Sequence, residues 1–177
     1  KTLGSPKSIN TSNKKININN GILFIPSGDE EEVYCFTNFA LIFAKNYPEL
    51  NIIIRFHPMI NSKKLIKSFP KIDNFHLSKS NIEYDSKQSR YVVYSTSTAV
   101  FESISSGCIP IRLNWNSVND LSDPLWQLKS KLLKTIDSQD DLYEIIDKNK
   151  YSDNNEYQLN KTFLKLNQDL QQLRFKL

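Results

Sequence analysis

At 177 residues, with 39% apolar and 11% aromatic side chains, the chain is sized for one domain around a single core. Its 23 Lys and Arg outnumber its 19 Asp and Glu, but Lys1, Lys7, Lys14 and Lys15 all fall in the first 20 residues, which hold no acid. The remainder is balanced in charge, which argues against a nucleic-acid groove. The sequence shows no apolar run long enough to span a bilayer and no secretory signal. Cys35 and Cys108 are too few and too far apart for a disulfide framework or a zinc site, and read as buried free thiols, compatible with a reducing cytoplasm.

Residues 1–20, rich in Lys, Asn and Ser with Gly4 and Pro6, read as a disordered or linker arm. The opening Lys1, in place of Met, leads us to expect a piece of a longer protein. Residues 21–177 form the folded unit. Ile22-Leu23-Phe24-Ile25 reads as a buried strand stopped by Pro26-Ser27-Gly28. Asp29 and Glu30 then open a helix whose apolar positions are Val33, Phe36, Phe39, Ala40, Phe43 and Ala44, closed by Pro48.

Asn51 to Phe56 is the second strand, Ser62 to Ser68 a short helix, Asn74 to Leu77 a third strand, and Ile82 to Gln88 a turn or single helical segment. Tyr91 to Tyr94 is the fourth strand, followed by a helix from about Thr96 to Ser106 with Gly107 as its C-cap. Ile109 to Leu113 is the fifth strand. Helical spacing returns over Leu125 to Leu133 and Asp140 to Ile146. Tyr157 to Leu173 is an amphipathic helix with Leu159, Phe163, Leu166, Leu170 and Leu173 on one stripe. Short strands, apolar on both faces and alternating with helices, predict an α/β domain: a Rossmann-like three-layer α/β/α sandwich around a parallel sheet of about five or six strands.

Three segments carry chemistry. Ser95, Thr96, Ser97 and Thr98 stand at a strand-to-helix junction. One hydroxyl suffices to cap a helix; several beside free backbone N–H groups also make a phosphate cradle. Glu102, one turn further on, reads either as a surface carboxylate or as an acceptor for a ribose hydroxyl. The second segment is Arg55-Phe56-His57-Pro58. His57 is either a strand-end histidine bonded to backbone or a donor to a leaving phosphate, with Pro58 stiffening the turn and Arg55 on the same face of the strand. Ser27 and Gly28 form a third loop on the same edge, where Gly28 admits close approach of a ligand to the backbone. His76, between Phe75 and Leu77, reads as structural. The sequence has no P-loop, no G-x-G-x-x-G, no HExxH and no paired cysteines, so no metal or resident cofactor is expected.

Taken together, Ile54-Arg55-Phe56-His57-Pro58, Tyr94-Ser95-Thr96-Ser97-Thr98 and the stretch Ala99 to Pro110 resemble the C-terminal nucleotide-binding domain of GT-B-fold glycosyltransferases. The likeness is to the group with an HP motif after one strand and a hydroxyl motif after a later one: bacterial sialyltransferases, capsule Kdo transferases and CDP-glycerol glycerophosphotransferases. It covers about Ile22 to Leu113, and Tyr94 stands where the glycerophosphotransferase pattern has an acid.

The resemblance implies a cytidine-nucleotide donor, CMP- or CDP-linked, whose phosphate meets His57 and Ser95 to Ser97. His57 is then the catalytic group that steadies or protonates the departing phosphate. It further implies a role in surface-polysaccharide synthesis, a glycan acceptor, an N-terminal Rossmann-like domain outside this chain that brings the catalytic base, and a cytoplasmic location, free or at the inner face of the membrane. Two other readings stay open: a CDP-glycerol glycerophosphotransferase-like domain, and a non-catalytic Rossmann-like interaction module. The final helix of such enzymes often crosses to the N-terminal domain, so its apolar stripe is expected to be partly exposed here or covered by a neighbouring chain.

Overall fold

The computed structural model describes residues 15–17, 19–61, 65, 69–115, 122–148 and 153–174. The predicted helix Ser62 to Ser68, most of the N-terminal arm and the Leu173 side chain lie outside the described residues.

Six parallel strands form one sheet: β1 (Gly21–Phe24), β2 (Ile52–Ile54), β3 (Phe75–Leu77), β4 (Ser89–Tyr94), β5 (Ile109–Leu113) and β6 (Lys134–Ile136), in the spatial order β3-β2-β1-β4-β5-β6. This is a Rossmann-like α/β domain, and its strand order reverses between β1 and β4. The helices are α1 (Glu30–Asn46), α2 (Ile82–Lys87), α3 (Val100–Ser105), α4 (Gln139–Lys148) and α5 (Asp153–Arg174).

The central strands are buried because their apolar runs leave no polar face: Ile22, Leu23, Phe24, Ile52, Ile54, Val92, Val93 and Ile111 are fully enclosed. On one side of the sheet, α1 sends a ladder of rings toward it. Phe24 meets Phe36 edge-on at 6.5 Å, Phe43 lies 4.6 Å from Tyr47, and Tyr47 stacks on Tyr143 of α4 at 4.3 Å. The start of α1 is set by Asp29, whose side chain accepts from Glu32 N–H, and by acids in its first turn that match the helix dipole.

Four expectations need correction. The apolar stripe of α5 is not left open: Phe163, Leu166 and Leu170 are at most 2% exposed, in contact with the α3 layer of this same domain. Leu159 is half-buried. Leu125 to Leu133 is not a helix but a series of tight turns, with bonds such as Leu128 N–H to Leu125 C=O that skip three residues rather than four. Asp123 accepts from Leu125 N–H and Ser130 from Leu132 N–H, so side chains compete with helical bonding there, while Leu125, Leu128 and Leu132 still plug into the core. Third, α3 begins at Val100 rather than Thr96, because residues 95–99 form tight turns. Short hydroxyl side chains are poor helix formers. Fourth, Cys35 is half-buried rather than buried; Cys108 is buried as expected.

Lys15 to Asn17, at the end of the N-terminal arm, run along the N-terminal edge of the sheet. The Asn17 amide donates to the carbonyls of Ser86, Ser89 and Ser106, and Ile16 N–H donates to Asn160 of α5. Gly107, at φ +103°, has its Cα beside the Asn17 side chain, where a methyl group would lie 2.6 Å from Oδ1.

Candidate functional site

Because β2, β1 and β4 are adjacent and parallel, the loops that follow them emerge side by side at the C-terminal edge. With strands about 4.8 Å apart, the β2 and β4 ends flank β1 at a separation of roughly 10 Å. His57 and the Ser95 to Thr98 turn therefore share one edge, across the place where the strand order reverses.

His57 is exposed, and its ring lies against Gly28 of the β1–α1 loop: a methyl group on Gly28 would be 3.4 Å from Nδ1. Nδ1 accepts from Met59 N–H at 3.3 Å, and the His57 carbonyl accepts from Ile60 N–H at 2.9 Å, closing the turn that Pro58 stiffens. With Nδ1 engaged as an acceptor, the neutral ring carries its hydrogen on Nε2.

Beside His57 opens a cleft of about 260 Å³ between the ends of β2 and β3. Arg55, Phe56, His57, Pro58, Leu77, Ser78, Lys79 and Ser80 contribute to its wall; the Ser95 to Thr98 turn does not. Arg55 is not a loose cation. Its Nη1 pairs with the buried Asp85 carboxylate at 3.1 Å, and also donates to Ser78 Oγ at 3.1 Å and to the Ser80 carbonyl. That network pins the β3–α2 loop to β2, so Arg55 shapes the cleft. Lys79, which sequence reasoning missed, is exposed at the cleft with no ion pair or hydrogen bond among the described residues.

The four hydroxyls differ. Ser95 is fully buried and its Oγ has no hydrogen-bond partner among the described residues. Thr96 donates to Glu32 Oε2 at 3.1 Å. Ser97 is half-buried and Thr98 exposed, both with free hydroxyls among the described residues. Glu102 is half-buried and its carboxylate makes no bond among the described residues. Ser27 donates to Glu32 Oε2 at 2.5 Å and accepts from Asp29 N–H at 3.2 Å. Sequence reasoning missed Glu32: its contact with Thr96, 64 residues away, leaves no local signal.

A second polar cluster lies at the ends of β4 and β5. Tyr94 OH donates to Asp123 Oδ1 at 3.1 Å, and Arg112 stands 3.8 Å from Asp123 Oδ2. Burial, then the neighbouring Asp123 charge, pushes the Tyr94 phenol well above its ordinary range, so it acts as a neutral hydroxyl. Burial also pushes the Cys108 thiol up to about 12 and raises that of Cys35, where the Glu32 charge adds to the effect. His76 is exposed on the outer strand β3, one strand beyond His57.

Among the described residues, no helix is long and apolar enough to cross a membrane, and no three His, Cys, Asp or Glu side chains are grouped to share a metal ion. Compared with known proteins, the chain matches no family model and no curated protein.

Proposed function

We propose that this domain binds the nucleotide-activated donor of a glycosyltransferase in surface-polysaccharide synthesis, with a cytidine nucleotide as the preferred carrier. One observation carries the reading. An exposed His57, its Nε2 free and its ring laid on a glycine, sits at the reversal point of a Rossmann-like sheet, with Ser97 and Thr98 unpaired two strands away. Ligands of open parallel sheets settle at this place. The donor phosphate lies over the β1 end, between His57 Nε2–H on one side and the Ser97 and Thr98 hydroxyls with their backbone N–H groups on the other. Lys79 adds a positive charge at the cleft, and the nucleoside extends into the space between β2 and β3.

The chemistry follows from that placement. As the bond from sugar to phosphate breaks, negative charge grows on the phosphate oxygens. Donors already aimed at those oxygens stabilise the transition state more than the ground state. His57 donates from Nε2 and hands a proton to the leaving group when protonated. Activation of the acceptor hydroxyl falls to a base on another domain, as the resemblance to GT-B enzymes implies, and the parent protein works in the cytoplasm or at the inner membrane face. The test is a calorimetric titration with CMP, CDP, UMP, UDP and GDP. The cytidine nucleotides are expected to bind tightest. Equal affinity for all five removes the cytidine assignment, and binding of none removes the nucleotide site.

A further inference from the structure

Glu32 is 1% exposed at the reversal point, and donor binding as described gives it no task. Its carboxylate is an acceptor in three contacts: Oε1 takes Ser27 N–H at 3.1 Å, and Oε2 takes the Ser27 hydroxyl at 2.5 Å and the Thr96 hydroxyl at 3.1 Å. Ser27 belongs to the β1–α1 loop and Thr96 to the β4–α3 turn. One carboxylate thus joins the two loops that meet where the strand order reverses. Each hydroxyl has a single hydrogen. While Ser27 and Thr96 direct theirs to Glu32, neither donates to an anion; with Ser95 fully buried, the side-chain donors left on the open part of the turn are Ser97 and Thr98.

We propose that Glu32 is a positioning residue that fixes the β4–α3 turn against the β1–α1 loop, so that Ser97 and Thr98, rather than Ser27 and Thr96, meet the ligand phosphate. The second half rests on the phosphate reading given above; the tie itself does not. Burial holds the two ends of the turn, Ser95 and Val100, both fully enclosed, but not its middle. Val100 N–H to Ser97 C=O at 3.3 Å and Phe101 N–H to Thr98 C=O at 3.1 Å are bonds within it, and α3 has no side-chain cap. Hydrogen bonds to an enclosed carboxylate are among the stronger ones, so this bridge ties the middle of the turn to the neighbouring loop. The opposing expectation has the opposite sign. If Glu32 acted on the ligand only as a nearby negative charge, neutralising it would tighten phosphate binding.

The test uses Glu32→Gln, Thr96→Val and the double variant of the full chain. The first arm needs no ligand: ¹⁵N relaxation of the 96–98 amides. Order parameters near 0.85 in the parent should fall below about 0.6 in both single variants, with the sheet amides unchanged. A turn as rigid as in the parent overturns the proposal. The second arm is CMP titration. Each single variant should bind about five- to tenfold more weakly, and the double variant no more weakly than either, since both changes break one tie. Tighter or unchanged binding by Glu32→Gln, or additive losses in the double variant, overturns the proposal. A lower melting temperature with unaltered affinity and unaltered order parameters makes Glu32 a structural residue only, which also overturns it. If Glu32→Gln fails to fold, Thr96→Val alone decides both arms. A parent chain that binds neither CMP nor inorganic phosphate defeats the phosphate reading, and relaxation then decides the tie.

Discussion

The two edges of the sheet treat their polar side chains differently. At the N-terminal edge, Asn17 donates to three carbonyls and Asn74 donates to the carbonyls of Ala44, Tyr47 and Leu50. Those amides tie loop ends together and have no N–H left to offer an anion. At the C-terminal edge, Nε2 of His57, Lys79 Nζ and the hydroxyls of Ser97 and Thr98 have no partner among the described residues, while Arg55, Ser27 and Thr96 are committed to Asp85 and Glu32. A saturated polar cluster is architecture; an unsaturated one beside a cleft is equipped to bind. The comparison also divides the C-terminal edge itself, into residues that shape the site and residues that face it.

The largest effect should come from a shaping residue. Arg55→Met leaves the enclosed Asp85 carboxylate without its counter-charge and with only the Ser78 hydroxyl as side-chain partner, and breaking a buried ion pair this way costs about 3 kcal/mol. Urea denaturation should show the loss as a lower midpoint; a change under about 1 kcal/mol would mean that Arg55 is free to serve a ligand instead. At the opposite edge, Asn74→Ala strips donors from three carbonyls and should cost about 2 kcal/mol. CMP affinity measured on the folded variant should stay unchanged, and a weakened affinity would erase the distinction between the edges.

His57→Ala should reverse that pattern. Its melting temperature should hold, while CMP binds about ten- to hundredfold more weakly, the worth of one hydrogen bond to a charged partner. Ser97→Ala should act in the same direction by less, about three- to tenfold, because Thr98 and the backbone N–H groups remain.

A pH dependence belongs to architecture alone. Burial holds the Cys108 thiol at about 12 against 9.0 for an open thiol, so the fold favours its neutral form. That contribution is complete below pH 9 and is lost as the pH rises from about 9 to about 12. Stability measured across this window should decline in the parent and decline less in Cys108→Ala.

Much of the architecture was legible in the sequence. The apolar runs of β1, β2, β4 and β5 and the periodic helices α1, α4 and α5 carry their own local signals. Strand β6 does not. It has three residues, two of them exposed, and only Ile136 faces the core. The leucines from Leu125 to Leu132 mimic helical spacing because Leu125 and Leu128 plug the core from one tight turn and Leu132 from the next. At the site, His57, Gly28 and the hydroxyl turn were found because glycine, proline and clustered hydroxyls are locally unusual. Contacts fixed by sheet register were beyond reach: Arg55 meets Asp85 and Glu32 meets Thr96 only once the strands are ordered. Lys79 gave no signal at all, since a single lysine in a loop is ordinary.

The central claim is that the ligand phosphate lies at the reversal point between His57 and the hydroxyl turn. The most direct measurement is a two-dimensional ¹H–¹⁵N titration of the chain with CMP. The account predicts shifts at Gly28, His57, Lys79, Ser97 and Thr98, with Asn17 and Asn74 unmoved. Shifts centred on the N-terminal edge, or none at saturating CMP, would contradict it.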